Sequence, residues 1–242
     1  MSTLRMTLAI GAALVGIAVT IALGNWQLRR AAEKIATEQA WEAARQAAPA
    51  DLRDTSDLAG VAAQLPRRVR VRGTFEHERT VWLDNRALQG RAGFLVVTPL
   101  RVQATQARVL VNRGWAARDP VDRTHLPPVG RPEGVVEIEG MALQGVPRAF
   151  EFTHSDSGAI RQNLDVEELR KEIGAPVAEF VVQQTSTLED ALDRHWLPPA
   201  AGVDRHRGYA FQWFALAALL AVIVVGLGWR ALRGRFDAES AA

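Results

Sequence analysis

The chain has no cysteine among its 242 residues. That removes disulfides, iron–sulfur ligation, thiolate zinc sites and cysteine nucleophiles together. An excess of charge is also lacking: 29 basic against 27 acidic residues leave a formal net charge of +2, too small a surplus for wrapping nucleic acid. Lysine is nearly missing, with Lys34 and Lys171 standing among arginines. Catalytic motifs are lacking too. The five histidines, His77, His125, His154, His195 and His206, form no HExxH, HxH or close ligand set with carboxylates. The pairs His154/Asp156 and Asp122/His125 are of a kind that chance produces readily, and Ser155 and Ser157 sit in no nucleophile elbow. No acid–base pair stands out. The expectation is a protein that is not an enzyme.

What the chain does have is two long apolar blocks. Leu8–Trp26 runs nineteen residues without a charge. At 1.5 Å per residue this nearly matches a hydrocarbon core of roughly 30 Å. A secretory signal peptide is the competing reading, since Arg5 and the amino terminus form a short positive region. The run exceeds a usual signal core, however, and NWQLRRAAEK follows without a small-residue cleavage pattern. Tyr209–Trp229 gives twenty-one further uncharged residues, with Tyr209, Phe211, Trp213 and Phe214 at one end and Trp229 at the other, as suits the headgroup levels. Arg230, Arg233 and Arg235 follow it directly. The sequence therefore predicts spans at residues 8–28 and 208–229, with both termini on one side of a lipid bilayer. Charge does not choose the side: Arg5 and the C-terminal arginines favour cytoplasmic tails, against Arg29, Arg30, Lys34, Arg205 and Arg207 on the loop side.

Between the spans the period changes. Residues 29–50 read as a helical stalk rich in Ala, Glu, Gln and Arg that Pro49 stops. DLRDTSDLAG reads as a loop. RRVRVRGTF then alternates arginine and valine from Arg68, as in a strand with one packed and one wet face, the arginines facing either solvent or an anionic ligand. Further strands are predicted at Thr80–Asp84, Gly93–Thr98, Arg108–Asn112, Gly134–Met141 and Glu179–Gln184. Asn85-Arg86, Leu88-Gln89-Gly90-Arg91, PPVGRPEG and QGVPR separate them. In DVEELRKEIG, Asp165 caps a short helix that Gly174 ends, with Glu168 at the third position. Residues 51–207 thus read as a β-rich (α+β) domain, a compact sheet or small barrel rather than a Rossmann unit.

His206 stands apart by position, three residues before the second span in DRHRGYAFQW. Porphyrin binding needs one axial nitrogen, an apolar surface and cations near the propionates. His206, the aromatic residues Tyr209, Trp213 and Phe214, and the pair Arg205 and Arg207 supply these types. An ordinary interfacial belt with a solvated histidine fits the same residues.

LGNWQLRRAAEK, RRVRVRGTF, WLDNR, GFLVVTPL, VLVNRGW and HRGYAFQWFALAA occur in that order within a span–loop–span layout. In this the chain resembles the bacterial branch of the surfeit-locus protein family, whose members assist cytochrome c oxidase assembly around insertion of heme a into the catalytic subunit. The resemblance implies an inner-membrane protein whose loop is periplasmic and whose tails, residues 1–7 and 230–242, are cytoplasmic. It implies transiently bound heme a, with His206 as axial ligand to the iron and Trp213 in the span-entry motif. Arg205 or Arg207 would then meet a propionate. The implied partners are the oxidase catalytic subunit and heme a synthase. Gly73, Asn85, Arg86, Pro99, Asn112, Arg113, Gly114 and Trp115 occupy the loop motifs and are expected to support the fold. QATQAR and HSDSGAIRQNL depart from the family pattern. A membrane scaffold that holds an oxidase intermediate without binding heme remains the alternative.

Overall fold

A computed structural model describes residues 3–103, 105–149, 158–196 and 202–239, with residues 3–4, 55–56, 231–232 and 234–239 described by backbone alone. The chain divides into two compact units, residues 1–39 with 198–242, and residues 40–197.

The first unit is a pair of helices. Helix α1, Thr3–Gln46, carries the first apolar block and continues without a break through the stalk sequence. The second block lies in the last helix of the chain, Val203–Glu239. Both are long and apolar enough to cross a membrane, and very little of either apolar stretch is buried against protein. Their large side chains stand outward, Leu14, Val15, Val19, Leu219, Val222 and Val225 among them. Water would not permit that arrangement over such lengths; lipid does. The chain carries two membrane-spanning helices.

The second unit is a mixed β-sheet with short helices. Its elements are β1 (Ala50–Leu52), α2 (Thr55–Ala62), β2 (Arg67–Phe75), a 3-10 turn (His77–Arg79), β3 (Val81–Leu88), β4 (Arg91–Val102), β5 (Arg108–Ala117), β6 (Val136–Leu143), β7 (Ile160–Arg161), α3 (Val166–Ile173) and β8 (Val177–Gln184). The final helix is α4. The strand order is β1-β2-β6-β8-β5-β4-β3-β7, and β2 pairs in addition with β4. Pairings therefore return on themselves through β2, β6, β8, β5 and β4. Closure happens at Gly73, which faces Val102 across the strand pair. A side chain there would collide with the Arg101 carbonyl, so glycine lets the backbones meet.

Alternation in β2 puts Val69, Val71 and Phe75 into the main core with Leu100, Val109, Val111, Ile138, Phe180 and Val182. Arg68, Arg70 and Arg72 take the other face, where they meet carboxylates of β6. Arg70 Nη2 donates to Glu139 Oε1 at 2.6 Å, Arg68 Nη2 to Glu139 Oε2 at 3.0 Å, and Arg72 lies 3.5 Å from Glu137. Hydrogen bonds from Arg70 and then Arg68 hold the Glu139 carboxyl below its ordinary range. A second core, Val81, Leu83, Val97, Leu110 and Val181, lies under α3 through Leu169 and Ile173. Asp165 caps α3 by accepting from the backbone of Glu167 and Glu168, and Gly174 ends it at φ 66°.

Two readings of the sequence are corrected. DLRDTSDLAG is not a loop: it holds the end of β1, parallel to β2, and most of α2, which sends Leu58 and Val61 into the main core. Asn85-Arg86 does not separate two strands. It lies inside β3, where the pairing with β4 shifts register and Asn85 takes φ 59°. Turn and bulge ask the same positive φ of asparagine, so the residue alone does not tell them apart. The turn itself comes at Gln89 and Gly90, φ 50° and 77°, between the paired residues Leu88 and Arg91.

Candidate functional site

Helix α4 repeats small or special residues down one face: His206, Ala210, Trp213, Ala217 and Leu220 recur at spacings of four and three. Ala210 and Ala217 are buried, and His206 and Trp213 are half-buried. The facing stripe on α1 is Gly16, Thr20, Gly24 and Gln27. A side chain at Gly16 would touch Leu220, and one at Gly24 would run into the Phe214 ring at 2.7 Å. Gln27 meets His206. Rising numbers on α1 thus match falling numbers on α4, and the helices run antiparallel. Thr20 is buried and returns its hydroxyl to the Gly16 carbonyl at 2.8 Å, so no polar group is stranded in the contact.

His206 lies in the first turn of α4, and its Nδ1 is 2.7 Å from the Gln27 side-chain oxygen. An amide oxygen only accepts, so Nδ1 carries the proton and donates it. In the neutral ring the lone pair then lies on the other nitrogen, Nε2. This is the tautomer and the kind of support found on histidines that ligate metals. Arg205 and Arg207 flank His206 about 100° to either side of it and are exposed. Trp213 stands two turns further into the apolar stretch on the histidine's own face. The structure therefore brings His206 and Trp213 together on one side and sets the two arginines beside them. Gln27 was not singled out from the sequence. Glycine, threonine and glycine at four-residue intervals on α1 mark the face it extends.

The other histidines serve the β unit. His77 Nε2 donates to the Pro132 carbonyl at 2.9 Å. His195 lies on the surface, 2.6 Å from Asp193, whose own carboxyl is held low first by the His195 backbone N–H. His125 is exposed, and Asp122 uses its carboxylate on Thr124 at 2.7 and 2.8 Å, which lowers its pKa. His154 lies outside the described residues, as do the other three of the first four residues of HSDSGAIRQNL. Among the described residues no three His, Asp or Glu side chains gather closely enough to hold a metal ion.

The loop motifs build one structural seam. Trp115 Nε1 donates to the Arg86 carbonyl at 2.8 Å, and Arg86 Nη2 donates to the Gln162 carbonyl at 2.8 Å. Burial pulls the Arg86 guanidinium below its ordinary value, against the pull of Asp84. Gly114 lets β5 approach Leu192 and Asp193 so closely that a Cβ would sit 2.7 Å from the Leu192 side chain. Asn112 and Arg113 are buried in the same strand.

The model for the SURF1 family matches residues 14–218. The chain is 30% identical over 225 residues to the SURF1-like protein of Drosophila melanogaster, covering 83% of this chain and 71% of that protein. It is 28% identical over 226 residues to the SURF1-like protein of Rickettsia bellii, covering 87% and 86%. Surfeit locus protein 1 of Xenopus tropicalis is 25% identical over 221 residues, with 82% and 69% covered.

Proposed function

The chain belongs to the SURF1 family, and from that membership we propose that it is an inner-membrane assembly factor for cytochrome c oxidase that hands heme a to the catalytic subunit. Its β unit, read as a small barrel from the ring of strand pairings, lies on the periplasmic side, and both tails lie in the cytoplasm. Heme a synthase is the donor and the oxidase catalytic subunit the acceptor.

The observation that carries the heme assignment is the hydrogen bond from His206 Nδ1 to Gln27. The residues present fit a heme. His206 offers Nε2 to the iron, Trp213 an aromatic surface on the same helix face, and Arg205 and Arg207 cations for the propionates. Bound heme would supply the redox-active iron that the acceptor needs. Gln27 holds the imidazole in one tautomer and one orientation, so the nitrogen stays ready without rearrangement. The arginines, exposed at the start of α4, would neutralise the propionates without enclosing them. An open arrangement suits a carrier, because release then breaks few contacts. None of these roles requires covalent catalysis.

Heme extraction from membranes of a deletion strain tests the placement. Assembled oxidase containing heme a is expected to fall while heme a remains extractable. Loss of heme a itself would move the role upstream into its synthesis, and an unchanged oxidase level would overturn the proposal.

A further inference from the structure

Strand β5 is buried on both faces, and so the arginine of VNRGW has nowhere wet to go. Arg113 is fully buried, with its guanidinium 5.0 Å over the Phe75 ring. Its Nη2 donates to the Gly130 carbonyl at 2.7 Å and to Asp190 Oδ2 at 3.0 Å. Arg194 Nη2 donates to that same Asp190 oxygen at 2.6 Å. Two guanidinium groups therefore share one buried carboxylate, which leaves a surplus of one positive charge. Nε and Nη1 of Arg113 and Nε of Arg194 are buried without a hydrogen-bond partner. Leaving donors of a charged group unpaired inside a protein is costly, and a nearby anion would relieve it. Burial pulls the Arg113 guanidinium below its ordinary value; Asp190 opposes this, while Arg194 and Arg131 add to it.

Arg113 forms part of the wall of a cavity of about 370 Å³, between the 3-10 turn, the start of β3 and the Pro-rich loop. Trp82, Leu126 and Pro127 give it an apolar side, and Arg131 adds a second cation. His77 also lines the cavity, its Nε2 donating to the Pro132 carbonyl. Glu78 also lines the cavity and lies 3.7 Å from Arg131. A carboxylate at that position disfavours a ligand with two negative charges.

We propose that this cavity binds a monoanionic carboxylate carried on an apolar or aromatic group, with the carboxylate at Arg131 on the Arg113 side of the cavity and the apolar part against Trp82, Leu126 and Pro127. One negative charge matches the surplus that Arg113 and Arg194 leave over Asp190. The volume sits at the small end of ligand cavities, enough for a ring with a short acid. Such a carboxylate can come from a free organic acid or from the C-terminal end of a protein chain.

Calorimetric titration of the full chain in a nonionic detergent tests the proposal, with sodium benzoate as the probe and benzyl alcohol and inorganic phosphate as controls. One benzoate per chain is expected, with both controls weaker by about tenfold or more, as befits hydrogen bonds to a charged group. Arg113→Lys keeps the charge but loses the guanidinium donors, and should weaken benzoate by about tenfold. Since Arg113 also braces Asp190, Ala159→Phe provides a second variant that fills the cavity without altering a charge. It should abolish binding while the unfolding temperature of the free chain stays close to that of the parent. A short peptide ending in phenylalanine separates the two sources. Tighter binding than benzoate, lost on C-terminal amidation, identifies a chain end; weaker binding identifies a free acid. Saturable binding by neither probe, or binding untouched by both variants, overturns the proposal.

Discussion

The helix pair and the β unit sort the same residue types in opposite directions. Along α1 and α4 the small residues Gly16, Thr20, Gly24, Ala210 and Ala217 line the helix contact, and Leu14, Val19, Val222 and Val225 point away from it. In the β unit Val69, Leu110 and Phe180 have no exposed surface, and the arginines of β2 face out. Burial of aliphatic surface is favourable only against water. In lipid that drive is absent, so close backbone approach and satisfied polar groups decide what touches what. A polar pair such as Gln27 and His206 can then be the most specific contact between two apolar helices. Inside the β unit the reverse holds, and Arg113 with Asp190 is the exception that the surrounding core must tolerate.

Removing one partner of that buried pair should have the largest effect. Asp190→Ala leaves two guanidinium groups without their carboxylate and should destabilise the β unit by about 3–5 kcal/mol, read as lowered denaturant resistance. An unchanged midpoint would mean that the charges are solvated after all. The next effect separates the two surfaces. Leu219 and Val121 are both exposed, at 58% and 93%. Leu219→Arg should cost about 3 kcal/mol of insertion and lower recovery in carbonate-washed membranes, whereas Val121→Arg should change stability by less than about 0.5 kcal/mol. Equal behaviour would break the comparison. A smaller effect is expected at the helix contact. With no native cysteine to interfere, a Gly16→Cys/Leu220→Cys pair should be joined by a short bis-thiol cross-linker, because a Cβ at Gly16 would lie 3.1 Å from Leu220 Cδ1. Adding Gly24→Leu pushes against Phe214 at a cost of about 1–3 kcal/mol and should lower the yield; an unaltered yield would contradict the packing.

Much of this fold is legible where one face of an element is wet. The Arg/Val alternation of β2, the Asp165 cap and the turn at Gln89-Gly90 are each stated within a few neighbouring residues. Strand β1 is not: three residues have no period, and what makes them a strand is β2 beside them. Helix α2 commits only Leu58 and Val61 to the core, too few to show a stripe in DLRDTSDLAG. Strand β5 reads as apolar but does not announce that Arg113 is interior, since its carboxylate lies 77 residues away. At the candidate site, His206 and Trp213 share a face because seven residues make two turns. Gln27 becomes visible only when α1 is laid antiparallel to α4.

The account rests most on the nitrogen that Gln27 leaves available at His206. The direct measurement is the absorption spectrum and heme content of detergent-purified protein from cells that make heme a, compared with His206→Ala at matched abundance and membrane sidedness. The parent chain is expected to carry heme with a low-spin spectrum, and His206→Ala to lose it while the β unit remains folded. Heme stoichiometry and a low-spin spectrum unchanged in His206→Ala would contradict the ligand assignment and leave the chain a scaffold in oxidase assembly.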